Sequence, residues 1–246
     1  MNRILLLLLA AALPLFSHAD EGAFGGRASF FAVSPVAGWD RNELQVRGRD
    51  GTTSTETDTA PEYGLFAVFI HPRFVVNNFL FWSKNINDTD IWGNLFFANY
   101  YHQPDVPVTW NVGAGYLYHK IKPEMTEIDV KVPMVKGGPL FRMKQWGITL
   151  NPYLGYAWEQ VDTPHGDQDN DSYLYGISGW WRWRMIMVAA KYYYQDSQEI
   201  DENFNTFRAR LNFGITKNVG GVIRFDYMEH QTTTDTSVLA GPTFMF

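Results

Sequence analysis

Residues 203–215 read NFNTFRARLNFGI, and the alternation in this stretch decides the fold. Phe207, Ala209, Leu211, Phe213 and Ile215 take every second position, with Thr206, Arg208, Arg210, Asn212 and Gly214 between them. Successive side chains of a β-strand point to opposite faces, so the segment has one apolar face and one polar, basic face. The next segment repeats the pattern, with Ile223, Phe225 and Tyr227 set against Arg224, Asp226 and His230. Keeping both polar sets on one side needs an odd-length connection, which Lys217-Asn218-Val219 supplies. A three-residue turn there predicts Arg210 opposite Asp226 and Asn212 opposite Arg224.

The same rhythm runs through the chain from Arg27 onward. Segments of roughly ten to fifteen alternating residues are separated by connections that are alternately long and short. The long ones are read at 40–61, 87–90, 122–127, 163–170, 197–202 and 232–235, and most are polar or acidic. The short ones are read at 71–73, 103–107, 144–146, 183–184 and 217–219. Short turns at one end and longer loops at the other are the mark of a membrane barrel with both termini on the turn side. The count gives an all-β antiparallel transmembrane barrel of about 12 strands, with 10 or 14 as the neighbouring possibilities. A two-residue turn at Trp183-Arg184 predicts the pairs Trp181–Ile186, Tyr175–Tyr192 and Tyr173–Tyr194. Trp82, Trp92, Tyr116, Tyr118 and Trp158 then fall near outer strand ends, and Trp110, Trp146, Trp181, Phe213, Phe244 and Phe246 near inner ones. These are two aromatic girdles, as expected where amphipathic rings meet the membrane interfaces.

Composition agrees. Of 246 residues, 16% are aromatic, with 9 Trp, 13 Tyr and 18 Phe, while the mean hydropathy is −0.23. The long apolar run from Ile4 to Phe16 follows Arg3 and precedes Ser17-His18-Ala19, which fits a signal peptide over residues 1–19. It is too short to span a bilayer. A short periplasmic segment, 20–26, would precede the barrel at 27–246. Cleavage removes only Arg3 among charged residues, taking the net charge from −6 to −7 and arguing against a nucleic-acid partner. With no cysteine, disulfides, thiolate metal sites and cysteine nucleophiles are excluded.

The last segment places Val238, Ala240, Pro242, Phe244 and Phe246 on one face and Ser237, Gly241 and Thr243 on the other. A terminal aromatic preceded by alternating apolar residues resembles the C-terminal assembly signal of bacterial outer-membrane β-barrel proteins. That resemblance implies insertion by the barrel assembly machinery of a Gram-negative bacterium, contact with outer-membrane lipids and lipopolysaccharide, and Phe244 and Phe246 as the recognised residues. Pro242 departs from the strand pattern, since it removes a ladder donor.

The inward set carries the functional expectation. Arg208, Arg210, Arg224 and Lys191, with Lys131 and Arg182 as further candidates, outnumber Asp226 and Glu159 on the proposed lumen wall. A pore lined by Arg and Lys stabilises passing anions, so the reading is a passive porin-like channel for small hydrophilic or anionic solutes. The alternatives are a plugged structural or interaction barrel, because small barrels fill their interiors, and an outer-membrane hydrolase. For the hydrolase, His119, Glu159, Glu229 and His230 are candidates, yet none forms a motif. Asp226 and His230 lie about 13 Å apart along one strand, beyond hydrogen-bond reach. Asp167, Asp169 and Asp171 begin like a calcium loop, but Ser172 and Ser178 stand where an EF-hand needs Gly and Glu, so a solvated acidic loop is expected. No metal or cofactor is implied.

Overall fold

Alternation of the kind seen in residues 203–215 runs through twelve antiparallel strands that close on themselves. In the computed structural model the described residues are 29–47, 53–71, 73–85, 89–102, 106–122, 127–164, 166–198, 203–216, 218–230 and 232–246. The strands are β1 (Phe30–Arg47), β2 (Thr53–His71), β3 (Phe74–Asn85), β4 (Thr89–Tyr101), β5 (Val108–Lys122) and β6 (Ile128–Met143). They continue with β7 (Ile148–Thr163), β8 (Gly166–Trp183), β9 (Ile186–Ser197), β10 (Asn203–Gly214), β11 (Val219–His230) and β12 (Thr233–Met245). Each pairs with its chain neighbour, and β1 pairs with β12 to close the ring. The signal peptide, its cleavage site and segment 20–26 lie outside the described residues, as do Asn87, Asp88 and Lys217.

The outward face is apolar over a bilayer-sized band. On β1 its members are Phe31, Val33, Pro35, Ala37 and Trp39. They span nine residues, the length of a transmembrane strand of about 9–11 residues. The aromatic girdles stand where alternation puts them: Trp82, Tyr116 and Trp158 are exposed at one end, and Trp110, Trp146, Trp181, Phe244 and Phe246 at the other. Trp39 and Tyr63 extend the first girdle, and Phe31, Phe74, Tyr100 and Trp183 the second.

Several sequence expectations about connections are corrected. Residues 40–61 are mostly strand, because β1 and β2 stay paired from Asp40↔Ala60 out to Arg47↔Thr53. Polar residues there read as loop because the hairpin continues past the apolar band, where neither face has to be hydrophobic. The acidic run 167–171 is likewise strand, with Gln160↔Asp169 and Asp162↔Asp167 in register. The β8–β9 turn is Arg184-Met185, with Arg184 at φ 53°, so Trp183 meets Ile186, Trp181 meets Val188 and Tyr175 meets Tyr194. The positive φ that this tight turn demands falls on Arg184, which slides the register by two residues from the expected one.

The β10–β11 register is also two residues from expectation: Arg208 faces Asp226, Arg210 faces Arg224 and Asn212 faces Val222. Thr216 accounts for the shift. Its hydroxyl accepts hydrogen bonds from the backbone N–H groups of Asn218 (3.2 Å) and Val219 (3.1 Å), and its own N–H donates to the Val219 carbonyl (2.9 Å), which draws Thr216 into the turn. A two-residue slip preserves facing, so the assignment of inward side chains survives.

Pro242 has a structural explanation. The β1–β12 ladder runs Val33↔Phe244 and then resumes at Ala37↔Ala240, so Pro242 stands opposite Pro35. Across the interruption the Ser34 and Thr243 hydroxyls hydrogen-bond at 2.8 Å inside the barrel. The same device recurs six strands away. Between Gly137↔Leu154 and Phe141↔Leu150, Pro139 of β6 stands opposite Pro152 of β7. Residues that cannot donate to a ladder are thus matched with each other. The local sequences repeat too, as Gly-Pro-x-Phe on β6 and β12 and as Pro-x-x-Gly-aromatic on β1 and β7.

Candidate functional site

The inward positions of β3 to β7 are largely apolar, and they fill the lumen. Phe97, Leu117, Ile121, Val130, Val132, Met134 and Tyr153 form one side of a buried cluster completed by Leu174, Tyr193 and Leu239. A second cluster of Ala32, Val68, Ile70, Val75, Tyr101, Leu140, Trp180 and Met245 fills the end nearer the termini. Twelve strands enclose more width than eight, so bulky aromatics are needed to occupy it.

Set into this packing is a basic group. Arg208 of β10 forms an ion pair through Nε with Asp226 of β11, and Arg224 reaches the other oxygen of the same carboxylate through Nη2. Side-chain exposure is 11% for Arg208, 5% for Arg224 and 16% for Asp226. Aromatic rings cushion the cations. The Arg224 guanidinium lies 4.9 Å from the Phe79 centroid and 5.2 Å from that of Phe66, and those two rings stack at 4.0 Å. Lys136 Nζ sits 4.6 Å from the Tyr153 ring and 5.1 Å from Phe97, and Lys191 Nζ sits 4.3 Å from Tyr193. Ring quadrupoles replace part of the lost hydration of a buried cation, by about 2 kcal/mol when desolvated.

Two small interior cavities adjoin this group. One, of about 80 Å³, touches Arg208, Arg224 and Asp226 together with Asp40, Glu62 and Asp235. The other, of about 30 Å³, is bounded by Phe66, Trp180, Lys191, Arg208, Arg210 and Arg224. Arg224 Nε and Nη1 and Arg208 Nη1 find no acceptor among the described residues. Guanidinium donors beside a cavity are what an oxyanion needs.

All six expected lumen residues face inward, but they do not form one wall. Arg208, Arg210, Arg224, Lys191 and Asp226 gather as described, whereas Glu159 stands apart, taking a hydrogen bond from Asn170 Nδ2 at 3.0 Å. Lys131 is corrected: it lies on the outer face, since its neighbours Val130 and Val132 are the buried ones, and it pairs with Asp162 at 2.6 Å. Arg182 is half-buried at the end near the turns. His119 and His230 are buried, against Phe81 and stacked on Phe204 respectively, while Glu229 is exposed. Beyond β5, Glu127 bridges Lys120 and Lys122, and the Lys120 hydrogen bond holds its carboxyl below the usual carboxylate range. Phe246 closes the seam by backbone bonds to Phe31, at 2.8 and 3.3 Å.

Sequence reading missed Asp40, Glu62 and Asp235, and also Lys136 with its aromatic partners. The signal was available for Asp40 and Asn42, which continue the inward parity of Ser34 and Val36. It was obscured because the stretch was read as loop.

No family model matches the chain, and no curated protein matches it. Solved structures share its architecture. The transport unit of the autotransporter AIDA-I from Escherichia coli superposes with a TM-score of 0.59 at 12% identity, covering 99% of this chain and 97% of that one. The NanC porin gives 0.55 at 13% identity, covering 86% and 98%. The translocator domain of NalP from Neisseria meningitidis gives 0.54 at 11% identity, covering 100% and 95%. At these identities the likeness concerns the fold, which is that of the outer-membrane β-barrels.

Proposed function

We propose that the barrel resides in a bacterial outer membrane and passes small anionic solutes through a lumen that rests in a closed state. The observation that carries this reading is the basic group at mid-lumen, where Arg208 and Arg224 share one carboxylate, Lys191 and Arg210 stand beside them, and both Arg208 and Arg224 line two cavities. A plug has no need of such residues, because taking a cation out of water costs several kcal/mol per ion. Electrostatic stabilisation of a desolvated anion is what they supply. On this reading Phe244 and Phe246 serve recognition by the barrel assembly machinery, and the girdles meet lipid and lipopolysaccharide. The second reading, a plugged interaction barrel, draws on the apolar packing of β3 to β7.

Chloride efflux from vesicles separates the two. With valinomycin providing a potassium path, vesicles containing the refolded protein should release chloride well above the protein-free rate. Arg208→Gln combined with Arg224→Gln should cut the rate about tenfold. Efflux at the protein-free level would establish the plugged barrel instead.

A further inference from the structure

The chamber of about 80 Å³ has walls of opposite charge. Arg208 and Arg224 stand on one side, and Asp40, Glu62 and Asp235 on another. The acidic wall is built on the closing seam: Asp40 lies opposite Ser237 and Asn42 opposite Asp235 across β1 and β12. Ser237 Oγ donates to Glu62 Oε2 at 2.8 Å, and Asn42 Nδ2 donates to Asp40 Oδ2 at 3.1 Å. A third side is apolar, formed by Phe79, Phe81, Leu95 and Leu117.

Residues that line this chamber carry buried polar atoms without protein partners among the described residues. Besides the three guanidinium nitrogens, both ring nitrogens of His119 have none among the described residues, although His119 is only 2% exposed and lines the space. At roughly 10–15 Å³ per water-sized occupant, the volume suits about six non-hydrogen atoms. A simple anion there would face the acidic wall, and a simple cation would face the guanidinium groups.

We infer that the chamber binds a small zwitterion of short-chain amino-acid size, with its carboxylate on Arg208 and Arg224 and its ammonium on the wall of Asp40, Glu62 and Asp235. The inference rests on the same basic group as the proposed path for anionic solutes and goes beyond it, because a zwitterion carries a carboxylate but no net charge. Aliphatic substituents meet Phe79 and Leu95, and His119 offers a ring nitrogen to the ligand.

Saturation-transfer NMR on the refolded full barrel tests this with L-alanine, propionate, which lacks the ammonium, and ethylamine, which lacks the carboxylate. Alanine should bind at least tenfold more tightly than either. Asp40→Asn with Asp235→Asn should weaken alanine about tenfold and should not weaken propionate, which loses a repulsive wall. Glu62→Gln, a single change that keeps the Ser237 contact, should do the same and carries the test if the double variant does not fold. Propionate binding as tightly as alanine, or no alanine binding, would overturn the zwitterion site while leaving anion passage standing. Alanine binding in a barrel that releases no chloride would overturn passage and keep the site.

Discussion

Alanine at Gly38 should prevent the barrel from closing. A Cβ built there collides with the backbone carbonyl oxygen of Val238 and sits 3.0 Å from Leu239 Cα, so a strand and not a side chain would have to move. The β1–β12 seam has little reserve, because the facing prolines Pro35 and Pro242 already interrupt its ladder. It also joins the two ends of the chain, the contact with the highest loop-closure cost. Overpacking of this kind costs about 3 kcal/mol or more. The expected result is a folded, heat-modifiable fraction reduced about tenfold on an unheated gel. Gly137→Ala provides the control, since its Cβ would meet Asn111 O and Val112 Cγ1 at an ordinary 3.4 Å. Wild-type folding of Gly38→Ala would show that the seam is looser than described.

The second large effect is expected at Asp226. Its carboxylate is shared by Arg208 and Arg224, so Asp226→Asn leaves two buried guanidinium groups without their common counter-charge. Breaking a buried ion pair from one side costs about 3–5 kcal/mol, whereas replacing all members by apolar residues is often near neutral. Asp226→Asn should therefore lower the unfolding temperature of the barrel far more than the triple change Arg208→Leu, Asp226→Leu and Arg224→Leu. Equal stability of Asp226→Asn and the wild type would mean that water reaches the arginines freely, as in an open pore and not in a closed lumen.

The fold was legible in the sequence to an unusual degree because membrane strands must alternate. Parity alone put Arg208, Arg210, Arg224, Lys191 and Asp226 inside and Phe207, Phe225 and Phe244 outside. What parity cannot supply is register, which depends on turn details: the hydroxyl of Thr216 and the positive φ of Arg184 each moved a pairing by two residues. Expectations that depended on facing therefore held with the exception of Lys131, and the pairing of Arg210 with Asp226 did not. The candidate site was half visible. Its basic side lies within the apolar band, where a charge stands out against hydrophobic neighbours. Its acidic side lies on β1, β2 and β12 near and beyond the band's edge, where a strand and a polar loop have the same composition. The filled lumen stood in the sequence only as the plugged-barrel alternative, because it depends on inward Phe, Leu and Tyr residues of β3 to β7 that also fit a lipid-facing strand.

On the proposed function, basic side chains at mid-lumen govern what crosses the barrel. The most direct test is the zero-current potential of the refolded protein in a planar bilayer separating concentrated from dilute KCl. The dilute side should settle negative, because chloride crosses ahead of potassium. A positive dilute side, or no protein-dependent current at any voltage, would contradict it.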